Sequence, residues 1–243
     1  MAFGRIAISS VMLLLVCCGP IYGSESVDHL EKKHSISVKT GAHYMEDSDF
    51  TDAWDMDSEE LIGIVGELSY ELKLTKNIGL EFSCGYSGST GDSHDVFIAG
   101  DAAKLDMYHL YISPTAKLYI PISNISNTFF LYGGIGPDFY YTRCDLDYEA
   151  TGYSPYGLDY SEALYGVHGL IGIEYYVFEK PAEHHFYDWP VSLEIQYRYS
   201  WVKPDSVDDK LIDVTNIDLG LSLSHNDIKV GGHIITVGLK WHF

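Results

Sequence analysis

The sequence predicts an all-β fold: an antiparallel eight-stranded transmembrane β-barrel of up-and-down topology, with short periplasmic turns and long extracellular loops. Three observations predict it. Apolar and polar residues alternate with a period of two in eight segments, the connections between them alternate between short and long, and six segments carry a tyrosine at the same end of the apolar face. The composition agrees. Of 243 residues, 46% are hydrophobic and 14% aromatic, which excludes a disordered chain. Beyond the N terminus no eighteen consecutive residues are apolar, which excludes a transmembrane helix. Thirty-five Asp and Glu against fifteen Lys and Arg give a net charge of −20, and such a surface would repel nucleic-acid phosphates.

Residues 1–23 read as a signal peptide. Arg5 is their only charge, an apolar run covers 6–18, and small residues follow at Gly19, Gly23 and Ser24. A lipoprotein reading through Cys17 or Cys18 fits less well, because Val16 or Cys17 would stand where a small residue is needed. Residues 24–243 then form the barrel domain, with Cys84 and Cys144 in an oxidising compartment. Parity turns Cys84 toward lipid and sequence position puts Cys144 in a long loop, so no disulfide is expected.

The first strand, 36–44, puts apolar or aromatic residues at even positions and polar or small ones at odd positions. The second opposes Ile62, Ile64, Leu68, Tyr70 and Leu72 to Gly63, Val65, Glu67, Ser69, Glu71 and Lys73. The third opposes Ile78, Leu80, Phe82, Cys84 and Tyr86 to Gly79, Glu81, Ser83, Gly85 and Ser87. The fourth sets Tyr108, Leu110, Ile112, Ala116, Leu118 and Ile120 against His109, Tyr111, Ser113, Thr115, Lys117 and Tyr119. Pro114 interrupts it, at the cost of a ladder hydrogen bond or by forming a bulge. The fifth (129–141) and sixth (165–177) are glycine-rich, with His168, Gly172 and Glu174 on the polar face of the sixth. The seventh turns Val191, Leu193, Ile195, Tyr197, Tyr199 and Trp201 away from Ser192, Glu194, Gln196, Arg198 and Ser200. The eighth turns Ile235, Val237, Leu239, Trp241 and Phe243 away from Ile234, Thr236, Gly238, Lys240 and His242.

The short connections are 75–77, 121–127 and 179–190, and the long ones are 45–61, 87–107, 142–164 and 202–229. In the last, Ile217, Leu219, Leu221 and Leu223 also alternate, which reads as a hairpin projecting beyond the membrane. His184, His185, Glu183 and Asp188 are the one compact metal-like cluster. Adjacent histidines on an extended chain point opposite ways, so they read as turn residues.

Parity also assigns the charges. Glu67, Glu71, Glu81, Glu174 and Glu194 face inward with Lys39, Lys73, Lys117, Arg198 and Lys240, five acids against five bases. That balance is what a buried set needs to offset lost hydration. Tyr44, Tyr86, Tyr108, Tyr141, Tyr165 and Tyr199 form an outward girdle beside the long connections. Tyr70, Phe129, Tyr175, Trp241 and Phe243 are candidates for the opposite belt. The long connections, with Asp106, Asp138 and Glu162 counted as flanks, hold twenty-four acids against five bases. Nineteen negative charges therefore gather at one end.

The phrases Leu193-Glu194-Ile195-Gln196-Tyr197-Arg198-Tyr199 and Gly169-Leu170-Ile171-Gly172-Ile173-Glu174-Tyr175, with the ending Ile234-Ile235-Thr236-Val237-Gly238-Leu239-Lys240-Trp241-His242-Phe243, resemble the small OmpA-like, porin-superfamily eight-stranded outer-membrane barrels. The resemblance covers most of the mature chain and is one of pattern. It implies a bacterial outer membrane, lipid and lipopolysaccharide as surroundings, and both termini in the periplasm. It also implies insertion by barrel-assembly machinery that reads Val237, Leu239, Trp241 and Phe243. A soluble peptidoglycan-binding domain, which some relatives carry, is not expected after Phe243.

The function expected is that of a non-enzymatic outer-membrane barrel, its interior plugged by paired charges and its acidic loops outside, serving membrane integrity or surface interaction. Divalent cations or an extracellular partner at the acidic loops are a further expectation, although the spacing of the eight acids within 46–60 matches no calcium-loop pattern. A narrow small-solute channel and a lipid-modifying enzyme are the alternatives. For the latter, His43, His109 and His168 point inward and would serve as bases for Ser113 or Ser200, while His233 lies outward near the rim. No motif assembles a nucleophile, a base and an orienting group, so no catalytic, cofactor or metal residue is assigned.

Overall fold

The computed structural model describes residues 33–46, 62–94, 102–122, 129–149, 156–178, 190–203 and 230–243. The signal segment, the 211–229 hairpin and the His184-His185 turn lie outside the described residues. The described residues form eight strands: β1 (His34–Met45), β2 (Ile62–Lys73), β3 (Ile78–His94), β4 (Ala102–Pro121), β5 (Phe129–Glu149), β6 (Tyr156–Phe178), β7 (Val191–Lys203) and β8 (Gly232–His242). Each is antiparallel to the next, and β8 pairs with β1 from Ser35↔His242 to Met45↔Gly232, closing the barrel. Closure leaves the paired wall without a free edge, as a sheet in hydrocarbon requires.

The period-two alternation becomes two surfaces. Lys39 is level with Glu67 and Gly238 on the inside, while its neighbour Val38 is level with Leu68 and Leu239 on the outside. The outer wall carries Ile64, Leu68, Phe82, Ile112, Ile135, Val167, Ile195 and Leu239, all exposed, with Ile64 reaching 77%. Inside, Arg198 is 0% exposed, and Lys39, Lys117 and Lys240 are almost as deeply buried. An apolar surface on this scale around a charged interior inverts the arrangement of a water-soluble protein.

Pro114 leaves β4 in register. Ile112↔Phe139 and Ala116↔Ile135 continue one ladder, which places Pro114 opposite Pro137, and the three pairs between them are missing. The strand therefore loses hydrogen bonds without forming a bulge, because two residues that cannot donate face each other across the ladder.

Two of the long connections are shorter than the sequence reading. The ladder continues through Thr90↔Asp106 to His94↔Ala102, and through Asp145↔Asp159 to Asp147↔Gly157. Strands β3 to β6 thus project past the girdle. Outside lipid neither face must be apolar, so alternation fades although the backbone pairing persists. The tight end is clearer: in the 74–78 turn the Leu74 and Thr75 amides donate to the Ile78 carbonyl, and Thr75 Oγ1 accepts from the Asn77 and Ile78 amides.

Eight strands leave an interior that side chains must fill. Large residues face glycine across the ladder: Gly85 opposes Tyr111 and Gly172 opposes Tyr132. A Cβ on Gly85 would stand 2.2 Å from the Tyr111 ring, and one on Gly172 would stand 2.4 Å from Tyr132. We expect Gly85→Val to lower stability by about 1–3 kcal/mol through overpacking. Denaturant titration of the heat-modifiable folded band should show the loss, and an unchanged midpoint would contradict the tight fit.

Candidate functional site

The lumen is the site with the most chemistry. Arg198 Nη2 donates to Glu67 Oε2 at 2.7 Å, and its guanidinium lies 5.1 Å from the Tyr111 ring centroid. Tyr111 donates its hydroxyl to the same carboxylate at 2.8 Å. Lys39 bridges Glu67 at 3.0 Å and Glu81 at 3.2 Å, and donates to Gln196 Oε1 at 3.2 Å. Lys117 binds Glu81 at 2.5 Å over the Tyr132 ring, 4.4 Å from its centroid. Lys240 reaches Glu71 at 2.6 Å, Glu174 at 3.0 Å and Glu194 at 3.1 Å. Lys73 donates to Tyr176 at 3.2 Å and lies over the Tyr119 and Tyr176 rings. The ten inward charges assigned from parity all lie inside the wall, and shared carboxylates join most of them. Among the described residues, Glu71, Glu81 and Glu194 are the one trio of acid, His or Cys groups close enough to share a metal ion, and Lys39, Lys117 and Lys240 already surround them.

One acid was misplaced by the sequence reading. Asp138, counted there with the acidic rim, is 0% exposed within the lumen. It accepts from Ser113 and pairs with His168 Nδ1 at 2.8 Å, while His168 Nε2 lies 2.9 Å from the Thr115 hydroxyl. If Nδ1–H donates to Asp138, Nε2 is left to accept from Thr115. The inward set therefore holds six acids, and His168 is the partner of the sixth. Pro137 hid this orientation, because it breaks the alternation just before Asp138.

The candidate serines are arranged differently from the sequence reading. Ser113 contacts Asp138 and Arg198, and Ser200 lies 3.2 Å from the Tyr140 hydroxyl. The hydroxyl beside the His168 imidazole is Thr115, which sequence reasoning missed because the pairing spans strands β4 and β6. Thr115, His168 and Asp138 are aligned as a relay, yet all three are buried. His242 is a second missed contributor. Its Nε2 lies 2.9 Å from Ser192 Oγ and 3.1 Å from Glu174, and its ring stacks on Tyr176.

Above this layer, His109 Nδ1 is 3.0 Å from Thr142 Oγ1, and His43 stands edge-on to His109 with centroids 5.6 Å apart. Met45, Leu105, Met107, Cys144, Leu164 and Val202 bury their side chains at this end. Cys144 belongs to β5, not to a loop, and faces inward, whereas Cys84 is exposed on the outer wall; both are free. The wall itself separates the two thiols.

On the outer face, Tyr44, Tyr86, Tyr108, Tyr141, Tyr165 and Tyr199 all point away from the lumen near the projecting end. Tyr86 stacks with Tyr108, Tyr165 lies edge-on to Phe139, and Tyr199 donates to Glu46 at 2.8 Å. His233 is also outward, within 2.6 Å of the Tyr197 hydroxyl. Tyr70, Tyr175, Trp241 and Phe243 face out at the opposite end. Beyond the girdle, Asp106 pairs with Lys104 at 2.7 Å, and Arg143 spans Asp145 at 3.2 Å and Asp159 at 2.9 Å.

A closed antiparallel barrel with an apolar outer wall, aromatic rings at both ends and an ionic interior is a membrane β-barrel. The chain belongs to the outer membrane protein beta-barrel domain family, whose model matches residues 26–243. It is accordingly a protein of the bacterial outer membrane, crossing with strands and surrounded by lipid. No curated protein matches it.

Among solved structures it is similar to Neisserial surface protein A at 15% identity, covering 86% of this chain and 97% of that one with a TM-score of 0.47. The outer membrane protein OprG from Pseudomonas aeruginosa shares 14% identity over 87% of this chain and 97% of that one, TM-score 0.48. The N-terminal barrel domain of Pseudomonas aeruginosa OprF shares 11% over 87% and 98%, TM-score 0.44.

Lys240 gives the sharpest test of the lumen. Replacing it with Met leaves Glu71, Glu174 and Glu194 without their common cation, and should cost ~3–5 kcal/mol as for any broken buried pair. Equilibrium unfolding in detergent measures this; a loss below ~1 kcal/mol would show that the carboxylates are hydrated.

Proposed function

We propose that this chain is a non-enzymatic outer-membrane barrel whose lumen is sealed by its own charges and whose activity resides at the acidic outer end. The observation that carries the reading is the unbroken sequence of contacts across the lumen, from His242 and Glu174 through Lys240, Glu71, Lys117, Glu81, Lys39 and Glu67 to Arg198. A solute crossing the barrel would have to part several of these buried pairs at once. Hydrolysis is disfavoured for a related reason. Thr115, His168 and Asp138 have the alignment of a nucleophile, base and orienting acid, but no bulk substrate reaches a hydroxyl that is 0% exposed.

In this reading the ten inward charges are a plug, the six tyrosines of the upper girdle hold the barrel at the lipid headgroups, and Val237, Leu239, Trp241 and Phe243 address it to the assembly machinery. The acids beyond the girdle face lipopolysaccharide, divalent cations or an extracellular partner. Support comes from Asp92, Asp147 and Glu149, which stand exposed on the projecting strands, where Lys104 alone is level with both Asp92 and Asp147.

Planar-bilayer recording tests the seal. The wild-type barrel should give no stable openings, whereas the Glu81→Ala, Lys117→Ala double variant, which empties the middle of the lumen, should give resolvable current steps. Large, stable openings in the wild type would refute the sealed reading.

A further inference from the structure

The two ends of the lumen differ in chemistry. Below, every cation meets a carboxylate or an aromatic ring. Above, two histidines meet and two methionines are buried at the same end, with no acid in contact with the histidines among the described residues. His43 and His109 are 1% and 0% exposed. The Gly231 backbone is the one hydrogen-bonding group at the His43 ring among the described residues, which leaves at least one of its nitrogens without a partner. His109 Nε2 is likewise unpartnered, while its Nδ1 contacts the Thr142 hydroxyl. Buried imidazole nitrogens are normally satisfied, and an unpartnered nitrogen on each of two facing rings points to a missing ligand.

The arrangement has the parts of a metal site. A histidine that ligates through one nitrogen characteristically gives its other N–H to a fixed oxygen, which sets the tautomer, and Thr142 Oγ1, 3.0 Å from His109 Nδ1, is placed to accept it when that nitrogen carries the proton. Sulfur is close by. Met45 is two residues from His43 on the same face of β1, and Met107 two residues from His109 on the same face of β4. Ser89 Oγ lies 3.3 Å from Met45 Sδ, and Ser89 is directly opposite Met107 across the β3–β4 ladder. Both thioethers therefore lie on the lumen face, each two residues along its strand from one of the histidines.

The donor set selects the metal. All four groups are neutral, the buried Arg198 guanidinium acts on His43, and Leu105, Leu164 and Val202 are buried at the same end, so a bound ion would keep its full charge. A monovalent ion is far less costly to bury than a divalent one. Imidazole with thioether is a soft donor set, suited to Cu(I) and not to calcium or magnesium, which take oxygen ligands. The free thiol of Cys144 also lies at this end, but no His, Cys, Asp or Glu trio in reach of one ion includes it among the described residues. We propose that His43 and His109, with the thioethers of Met45 and Met107, form a site for one Cu(I) ion at the outer end of the lumen. Such a site would let the barrel hold copper from the surroundings; binding is a simple addition of ligand lone pairs with no redox step.

The test uses the refolded mature barrel carrying Cys84→Ser and Cys144→Ser, which removes both thiols. Anaerobic titration with Cu(I) against a chromogenic Cu(I) chelator should show one equivalent bound, with at least a ten-fold weaker affinity in the His43→Leu, His109→Leu variant. The heat-modifiable gel shift verifies that this variant is folded. X-ray absorption of the loaded, thiol-free barrel gives a second reading that depends on no histidine variant, and should show nitrogen and sulfur in the first coordination shell. Failure of the thiol-free barrel to bind Cu(I), equal binding by the histidine variant, or a shell without nitrogen would each overturn the proposal. The sealed-lumen reading is tested independently, because conductance does not depend on copper.

Discussion

The partition of charge across one sheet of backbone governs this molecule. Every strand must turn its apolar residues to hydrocarbon, so every charged residue on a spanning strand must turn inward. An eight-stranded lumen has no room for bulk water to hydrate those charges. They have to solvate one another. Lys240 among Glu71, Glu174 and Glu194, and Lys39 between Glu67 and Glu81, show how this is done: each ammonium is shared by several carboxylates instead of forming an isolated pair. Aromatic rings complete the shells, with Tyr132 beneath Lys117 and Tyr111 beside Arg198.

The same constraint explains the glycines. A lumen this narrow accommodates long cations and tyrosines only where the neighbouring strand gives up its side chain, as Gly85 does for Tyr111 and Gly172 for Tyr132. Packing and electrostatics are therefore one problem here. The Tyr111 ring that needs the space at Gly85 also donates to Glu67, which anchors Lys39 and Arg198. A buried network of this kind is weak evidence for net stability, but it is strong evidence for a defined interior, since removing any one member strands the others.

Much of this was legible in the sequence because the period of a strand is two and the membrane punishes every exception. Lys39, Glu67, Glu81, Lys117 and Arg198 could be assigned a face by counting alone. The losses have physical causes. Asp138 was read with the rim because Pro137 and the glycines of β5 blur the alternation. The projecting parts of β3 to β6 were read as connections because strands in water need no apolar face. Partners across strands were beyond reach, since the contacts of His168 with Thr115 and of His242 with Ser192 depend on register, which alternation does not fix. The same holds for His43 and His109, which stand on β1 and β4 and meet across the lumen although β2 and β3 separate their strands in the wall.

The inside-out partition is tested most directly by spin-label accessibility in reconstituted bilayers. Single cysteines at Leu68, Ile112 and Ile195 on the outer wall, and at Ser69, Ser83 and Thr115 in the lumen, would be placed in a Cys84→Ser, Cys144→Ser background and labelled. Labels at the first three sites should relax strongly with oxygen and weakly with a water-soluble nickel chelate, and the lumen sites should respond to neither. Nickel relaxation at Leu68, Ile112 and Ile195 would place the apolar wall in water and contradict the account.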